Sequence, residues 1–367
     1  MAAAIAAATV FGAALLRPTG EFRGDTEGLG LVRETYEAVV RRVEVRSCEG
    51  TDPAANVFCR YITTTPTQGP DAGSLVEISM SDTATAPDLD PGDRIVLSFD
   101  PEAGEAFRYQ YSDRQRRGVL LWLALAFALT VVLLGRLRGL AALAGLAATL
   151  FVLLLFVLPA ILDGRSPLLV AVVGASLIAY LALYLAHGFT MMSTVALLGT
   201  VASLLLTAAL AQLFVELAQL SGFASEEAII VQIGAADLDL AGLILGGVVI
   251  GALGAIDDMT VTQASAIWEL HAANPRLGRD GLLRAGLRIG RDHVASTVNT
   301  LFLAYAGASM PILVLFVLSE QSLGTVANGE TVATEIIRTL VGSIGLVAAV
   351  PITTWVAART VGAGRAR

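Results

Sequence analysis

The sequence predicts an all-α polytopic membrane bundle of about eight transmembrane helices, with a small extracytoplasmic β domain built as an OB-like barrel or a sandwich. Three observations predict it. Hydrophobic residues make up 55% of the 367 and charged ones only 15%, a balance too apolar for an ordinary soluble domain. Apolar runs long enough to cross a bilayer recur from Gly118 onward. Between residues 20 and 113 the composition turns polar and apolar residues alternate with a period of two, the pattern of half-buried strands.

The apolar run at 2–16 suits a signal-peptide core or a signal anchor. No basic stretch precedes it and no small-x-small cleavage site follows it, so residues 1–17 are expected to stay as a first transmembrane helix or signal anchor. Within 20–113, strands are expected at 38–46, 57–63, 74–79, 93–99 and 107–111, separated by Pro, Gly and Asp breakers. The stretch Leu89-Asp-Pro-Gly-Asp93 reads as a tight turn. Both cysteines of the chain, Cys48 and Cys59, fall in this domain. They form a disulfide if the domain lies outside the cytoplasm; two reduced thiols are the alternative.

Residues 118–360 read as a seven-helix transmembrane domain, with spans near 118–135, 139–161, 168–186, 190–219, 238–258, 294–318 and 336–358. The stretch 259–272 continues helically past the sixth span, and 273–290 reads as a loop plus a short amphipathic helix. Arginines set the orientation. Arg136, Arg138, Arg276, Arg279, Arg284, Arg288, Arg291, Arg359, Arg365 and Arg367 all fall on one side of an eight-span chain. Glu226, Glu227, Asp237, Glu320 and Glu330 fall on the other; Arg114, Arg116 and Arg117 dissent. The expectation is a multi-pass protein of the bacterial plasma membrane, with cytoplasmic termini, a cytoplasmic tail at 361–367 and an extracytoplasmic β domain.

Composition also excludes. The net charge of −8 argues against a nucleic-acid partner. The chain has no lysine, so it has neither a Walker A loop for a nucleotide nor an amine for Schiff-base chemistry. No Cys/His cluster of zinc-site spacing is present. No cofactor is expected beyond a bound cation. The expected partners are the lipid bilayer, a small ion or polar solute, and further copies of the chain.

The chemistry concentrates in two helices. The sixth span begins glycine-rich and then places Asp257 and Asp258 side by side, followed by Thr260, Thr262 and Gln263. A carboxylate at membrane depth costs several kcal/mol and marks ion or substrate paths. Gly247, Gly251, Gly254, Asp258, Thr262 and Ser265 share one face at helical spacing. Such small residues admit a neighbouring helix, so the acid is expected to face protein or a cavity. The seventh span opens with Arg291, Asp292 and His293 and carries Ser296, Asn299 and Thr300. Oxygen ligands from both helices suit a hard cation or a proton. Asp257 and Asp258 are the metal-ligand candidates, and Arg291 is an ion-pair candidate for them. Simpler roles stand beside these: a structural Asp258–Arg291 pair, a solvated helix end at Asp292 and His293, and a helix–helix hydrogen bond at Asn299.

The run 251–265 (GALGAIDDMTVTQAS), the run 289–309 (IGRDHVASTVNTLFLAYAGAS) and Met310-Pro-Ile-Leu313 together resemble the YibE/F family of bacterial membrane proteins. The resemblance covers about 118–360 and implies a multispanning plasma-membrane protein with a polar domain ahead of its membrane part. It marks Asp257, Asp258, Thr262, Gln263, Arg291, Asp292, His293, Ser296, Asn299 and Thr300 as matching positions, without a catalytic role for any. The function expected from the residues is an ion-gradient-driven transporter or permease, not an enzyme. No inverted repeat accompanies it. The alternatives are a receptor or assembly protein acting through the β domain and, more remotely, an intramembrane aspartyl protease using Asp258 and Asp292, whose usual signatures are missing.

Overall fold

A computed structural model describes residues 2–20, 34–48, 57–235, 238–319 and 321–361 of the chain. Asp237, Glu320, Arg365, Arg367 and nearly all of the expected tail lie outside the described residues. The chain divides into two compact units, 25–130 and the remainder.

The first unit is a sheet. Strands β1 (Glu34–Ser47), β2 (Phe58–Pro66), β3 (Val76–Ser81), β4 (Arg94–Phe99) and β5 (Tyr109–Arg114) pair antiparallel in the order β3-β2-β1-β4-β5. β1 serves two partners: Glu34–Val39 faces β4, and Ala38–Ser47 faces β2. A register shift between Val40 and Arg42 marks a bulge, which bends the strand and increases its twist. The sheet therefore curls until β3 approaches β5. One curled sheet is the barrel-like alternative; a second sheet, as a sandwich needs, is not present among the described residues. Alternate residues fill its core, with Ala38, Val40, Ile62, Ile78, Ile95 and Leu97 essentially inaccessible.

Cys48 and Cys59 form a disulfide, with Cα atoms 4.9 Å apart, that closes the β1–β2 hairpin. Tyr109 donates its hydroxyl hydrogen to Asp71 Oδ2 at 2.9 Å. Burial, then this bond, pushes the phenol up to about 12.

The second unit is helical. α1 (Ala2–Leu15) packs on α4 (Pro167–His187). Asp163 accepts hydrogen bonds from Thr19 and Gly20, just beyond α1. α2 (Arg117–Val152) starts in the sheet unit and leaves the helical region at Arg136 (φ 49°, ψ −128°), inside the turn that the sequence predicts. A π-type turn at Leu153–Val157 and α3 (Leu158–Leu162) follow. Next come α5 (Met191–Leu217), a short α6 (Glu226–Gly234) and α7 (Leu240–Ala273). The remaining helices are α8 (Arg279–Ala308), α9 (Met310–Leu318), a short α10 (Leu323–Asn328) and α11 (Glu330–Thr360). The core lies where α4, α5, α7 and α11 pack together.

Two expectations change. The amphipathic piece expected as a separate short helix within 273–290 begins at Arg279 and is continuous with the following span in α8. No residue from 279 to 308 interrupts the backbone ladder, so one helix is the cheaper solution. That span then breaks at Ser309, where α8 and α9 meet at 65°.

Among the described residues, five helices are long and apolar enough to cross a membrane, or six if α8 and α9 count as one broken span. The chain is a multi-pass membrane protein by this measure. The first of the five, residues 117–162, holds 46 residues, about twice what one crossing needs, and it bends sharply at Arg136, where a Cβ on Gly139 would collide with the Val131 carbonyl.

Candidate functional site

The polar site forms where α5, α7 and α11 cross. Glycines allow the approach. A Cβ on Gly199 of α5 would collide with Thr353 Oγ1 of α11, and one on Gly345 of α11 would collide with Thr207 Oγ1 of α5. Hydroxyls therefore sit at the crossings: Thr200, Ser203, Thr207, Thr260 and Thr353 are all fully buried.

Asp257 of α7 reaches into this layer and is partly buried. Thr200 Oγ1 lies 3.4 Å from Asp257 Oδ1, 2.7 Å from Thr260 Oγ1 and 3.1 Å from the Ala196 carbonyl. A threonine hydroxyl has one hydrogen to give, and the longest of the three distances is the one to the carboxylate. Thr260 in turn lies 2.9 Å from the backbone carbonyl of Asp257 itself. The Asp257 carboxylate thus has no committed donor and, among the described residues, no ion pair. Ser203 Oγ and Thr353 Oγ1 are likewise buried without a partner among the described residues.

One turn further along α7, Gln263 is buried and ties three helices. Its Nε2 donates to the Gly286 carbonyl of α8 at 2.7 Å and to Thr354 Oγ1 of α11 at 2.7 Å. The missing Cβ atoms of Gly286 and Gly290 make room for the amide and for Val350.

The remaining expected residues do not join the Asp257 layer. Asp258 points away from it, is exposed, and has neither hydrogen bond nor ion pair among the described residues. The reason is angular: consecutive helix positions differ by about 100°. The Asp258–Arg291 pair does not form, and Arg291 is exposed beside Leu287, Val294 and Val350. Thr262 is half-buried with no side-chain hydrogen bond among the described residues. Asp292, Ser296, Asn299 and Thr300 are exposed, and Thr300 returns its hydroxyl hydrogen to the Ser296 carbonyl, the local bond common in helices. His293 is half-buried with Nδ1 unpartnered. No hydrogen bond joins the two aspartates to α8 among the described residues. Nor do the described residues contain a group of three His, Cys, Asp or Glu suited to a metal ion.

The glycine face of α7 also differs from expectation. It receives side-chain heads rather than a tightly packed helix. Tyr305 of α8 sets its hydroxyl over Gly251, Arg338 of α11 sets its guanidinium over Gly247, and the space beside Gly254 is open.

Sequence reasoning missed the α5 and α11 contributions. The signal was there: Thr200, Ser203 and Thr207 recur at helical spacing behind Gly199, and Thr353 and Thr354 are adjacent within an apolar run. It also missed the Glu335–Arg338 pair.

The comparisons fit this architecture. A family model described as YibE/F-like protein matches residues 123–363. The chain belongs to that family. No curated protein and no solved structure matches it. The matched stretch of this YibE/F member contains the whole α5–α7–α11 crossing and stops short of the sheet.

Proposed function

We propose that this protein is a membrane permease for a small cation or for protons, driven by an ion gradient, with Asp257 as its intramembrane carboxylate. One observation carries the reading: Asp257 stands beside the buried Thr200 and Thr260 hydroxyls, with a single long 3.4 Å contact from Thr200 to its carboxylate and no counter-charge among the described residues. Leaving a carboxylate unpaired at membrane depth is costly, and such residues serve ion paths. A bound cation or a proton supplies the missing partner, and the unpartnered Thr353 hydroxyl lies against Gly199, next to Thr200. The test is flux. Purified protein in liposomes should pass protons or a divalent metal ion, and Asp257→Asn should lower that flux about ten- to hundredfold with folding intact. Unaltered flux in that variant removes the site.

The same reading includes eight crossings, with α2 dividing at Arg136 and α8–α9 forming one broken span, in the plasma membrane of a bacterium. Both termini are cytoplasmic and the sheet extracytoplasmic. The disulfide supports the placement of the sheet, because such bonds persist outside the reducing cytoplasm. Since Cys48 and Cys59 are the only cysteines, an impermeant maleimide should label reduced intact cells. Labelling only after lysis reverses the orientation.

A further inference from the structure

A second charged group lies on α11, eighteen residues before Thr353, about 27 Å along the helix. Arg338 Nη1 donates to Glu335 Oε1 at 2.6 Å, and both side chains are about three-quarters buried, at 26% and 25% exposure. An i,i+3 pair of this kind can be a plain helix stabiliser. Two features argue for more.

The first is how the pair is oriented. The guanidinium faces α7: its Nη2 lies 3.5 Å from the position a Cβ would take at Gly247, and its buried Nε has no partner. Glu335, and not Arg338, is among the residues that line a cavity of about 420 Å³ in the elbow between α8 and α9. Oε2 of Glu335 accepts no hydrogen bond among the described residues. The pair is neutral as a unit, yet its negative end is the one that borders the cavity.

The second is the wall of that cavity. Phe302, Tyr305, Leu313, Ala327 and Ile336 line it together with Glu335. The volume falls within the usual 300–1,000 Å³ of small-molecule sites, which combine an apolar lining with a few placed polar groups. Aromatic rings add attraction for a cation. A hydrated inorganic ion gains nothing from such a wall, and an anion meets the wrong end of the pair.

We propose that the α8–α9 elbow is a binding site for an amphipathic organic cation, its apolar body against Phe302 and Leu313 and its charge at Glu335. The site is separate from the Asp257 layer and does not depend on the permease reading.

Two near-isosteric probes of opposite charge test it: tetraphenylphosphonium and tetraphenylborate, titrated against the full-length protein in detergent, with empty micelles as the baseline. Tetraphenylphosphonium should bind saturably, at least about tenfold tighter than tetraphenylborate. Glu335→Gln should erase that preference. Because this variant leaves Arg338 unpaired and its folding at risk, Ala327→Phe provides the second arm. Ala327 is exposed on a short helix, so the larger ring should fill the cavity without disturbing the fold, and should weaken the phosphonium at least about tenfold. Equal or reversed preference in the unmodified protein overturns the proposal. So does undiminished phosphonium binding in Ala327→Phe.

Discussion

Asp257 and Asp258 are neighbours in the chain and strangers in the fold. Asp257 turns toward α5 and lies within reach of Thr200. Asp258, about 100° around the helix, is exposed and unbonded among the described residues. The contrast extends along the whole of α7. One face is closed, carrying Ile256, Thr260 and Gln263 against α5, α8 and α11. The other, with Gly247, Gly251 and Gly254, receives a guanidinium, a phenol hydroxyl and open space. A pair of adjacent acids in a helix is therefore not a two-ligand site. It gives one acid to each of two different surroundings.

The largest expected effect separates the two acids directly. Losing a charge-assisted contact is worth about 1.5–3 kcal/mol, roughly a ten- to hundredfold drop in liposome flux for Asp257→Asn. Asp258→Asn should change flux less than about twofold, well under 1 kcal/mol. Equal losses from both would merge the two faces into one site and break the comparison.

Glycines sharpen it next. Gly199→Ala and Gly345→Ala drive a methyl into Thr353 and Thr207, and each should destabilise the protein by about 1–3 kcal/mol. Gly254→Ala, on the open face, meets nothing within 4 Å and should stabilise the helix by up to about 1 kcal/mol. Thermal unfolding in detergent reads all three.

Gln263→Leu tests the closed face where it reaches α8. It leaves the Gly286 carbonyl without its donor, a loss of about 1–3 kcal/mol. Asp258→Leu removes no hydrogen bond and should cost less in the same unfolding assay.

The smallest effect comes from a carboxylate outside the apolar spans, which serves as the reference. Asp163 is held below the usual carboxylate range, first by the Thr19 backbone N–H and then by the Thr19 hydroxyl and Gly20. A lowered value means that its contribution is complete above the ordinary carboxylate range and is lost as pH falls through the lowered one. Exposure keeps that contribution small. Asp163→Asn should flatten a shallow acid-side loss of stability, and an unchanged pH profile would show that the Thr19 contacts contribute nothing.

Much of this was legible in the sequence, for physical reasons. Period-two alternation locates all five strands, because one face of a curled sheet must be apolar: Val40, Ile62, Ile78 and Ile95 lie on that face. The Arg136 turn is equally plain, since an arginine between two apolar runs interrupts both. The site was half legible. Asp257 and Gln263 stand out as polar residues in an apolar helix, and both are placed in the core crossing. Their partners do not stand out. Thr200 and Thr353 are small hydroxyls that any membrane helix tolerates, and only the α5–α7–α11 crossing gives them meaning. The pairing of α7 with α8 was inferred from chain order; the structure gives α7 closer company in α5 and α11. The Glu335–Arg338 pair sits near the start of a span, where charges ordinarily need no explanation.

The unbroken α8 has a mechanical consequence. It is a rod of 30 residues, about 45 Å long, and Gln263 fastens it to α7 at Gly286, near its first end. The arms about that fulcrum are unequal, about 10 Å back to Arg279 and about 33 Å forward to Ala308. A tilt of the rod about Gly286 swings the far tip some threefold more than the arginine-bearing tip. Small displacements at Arg279 and Arg284 are geared up at the other end, where the 65° elbow and its cavity lie.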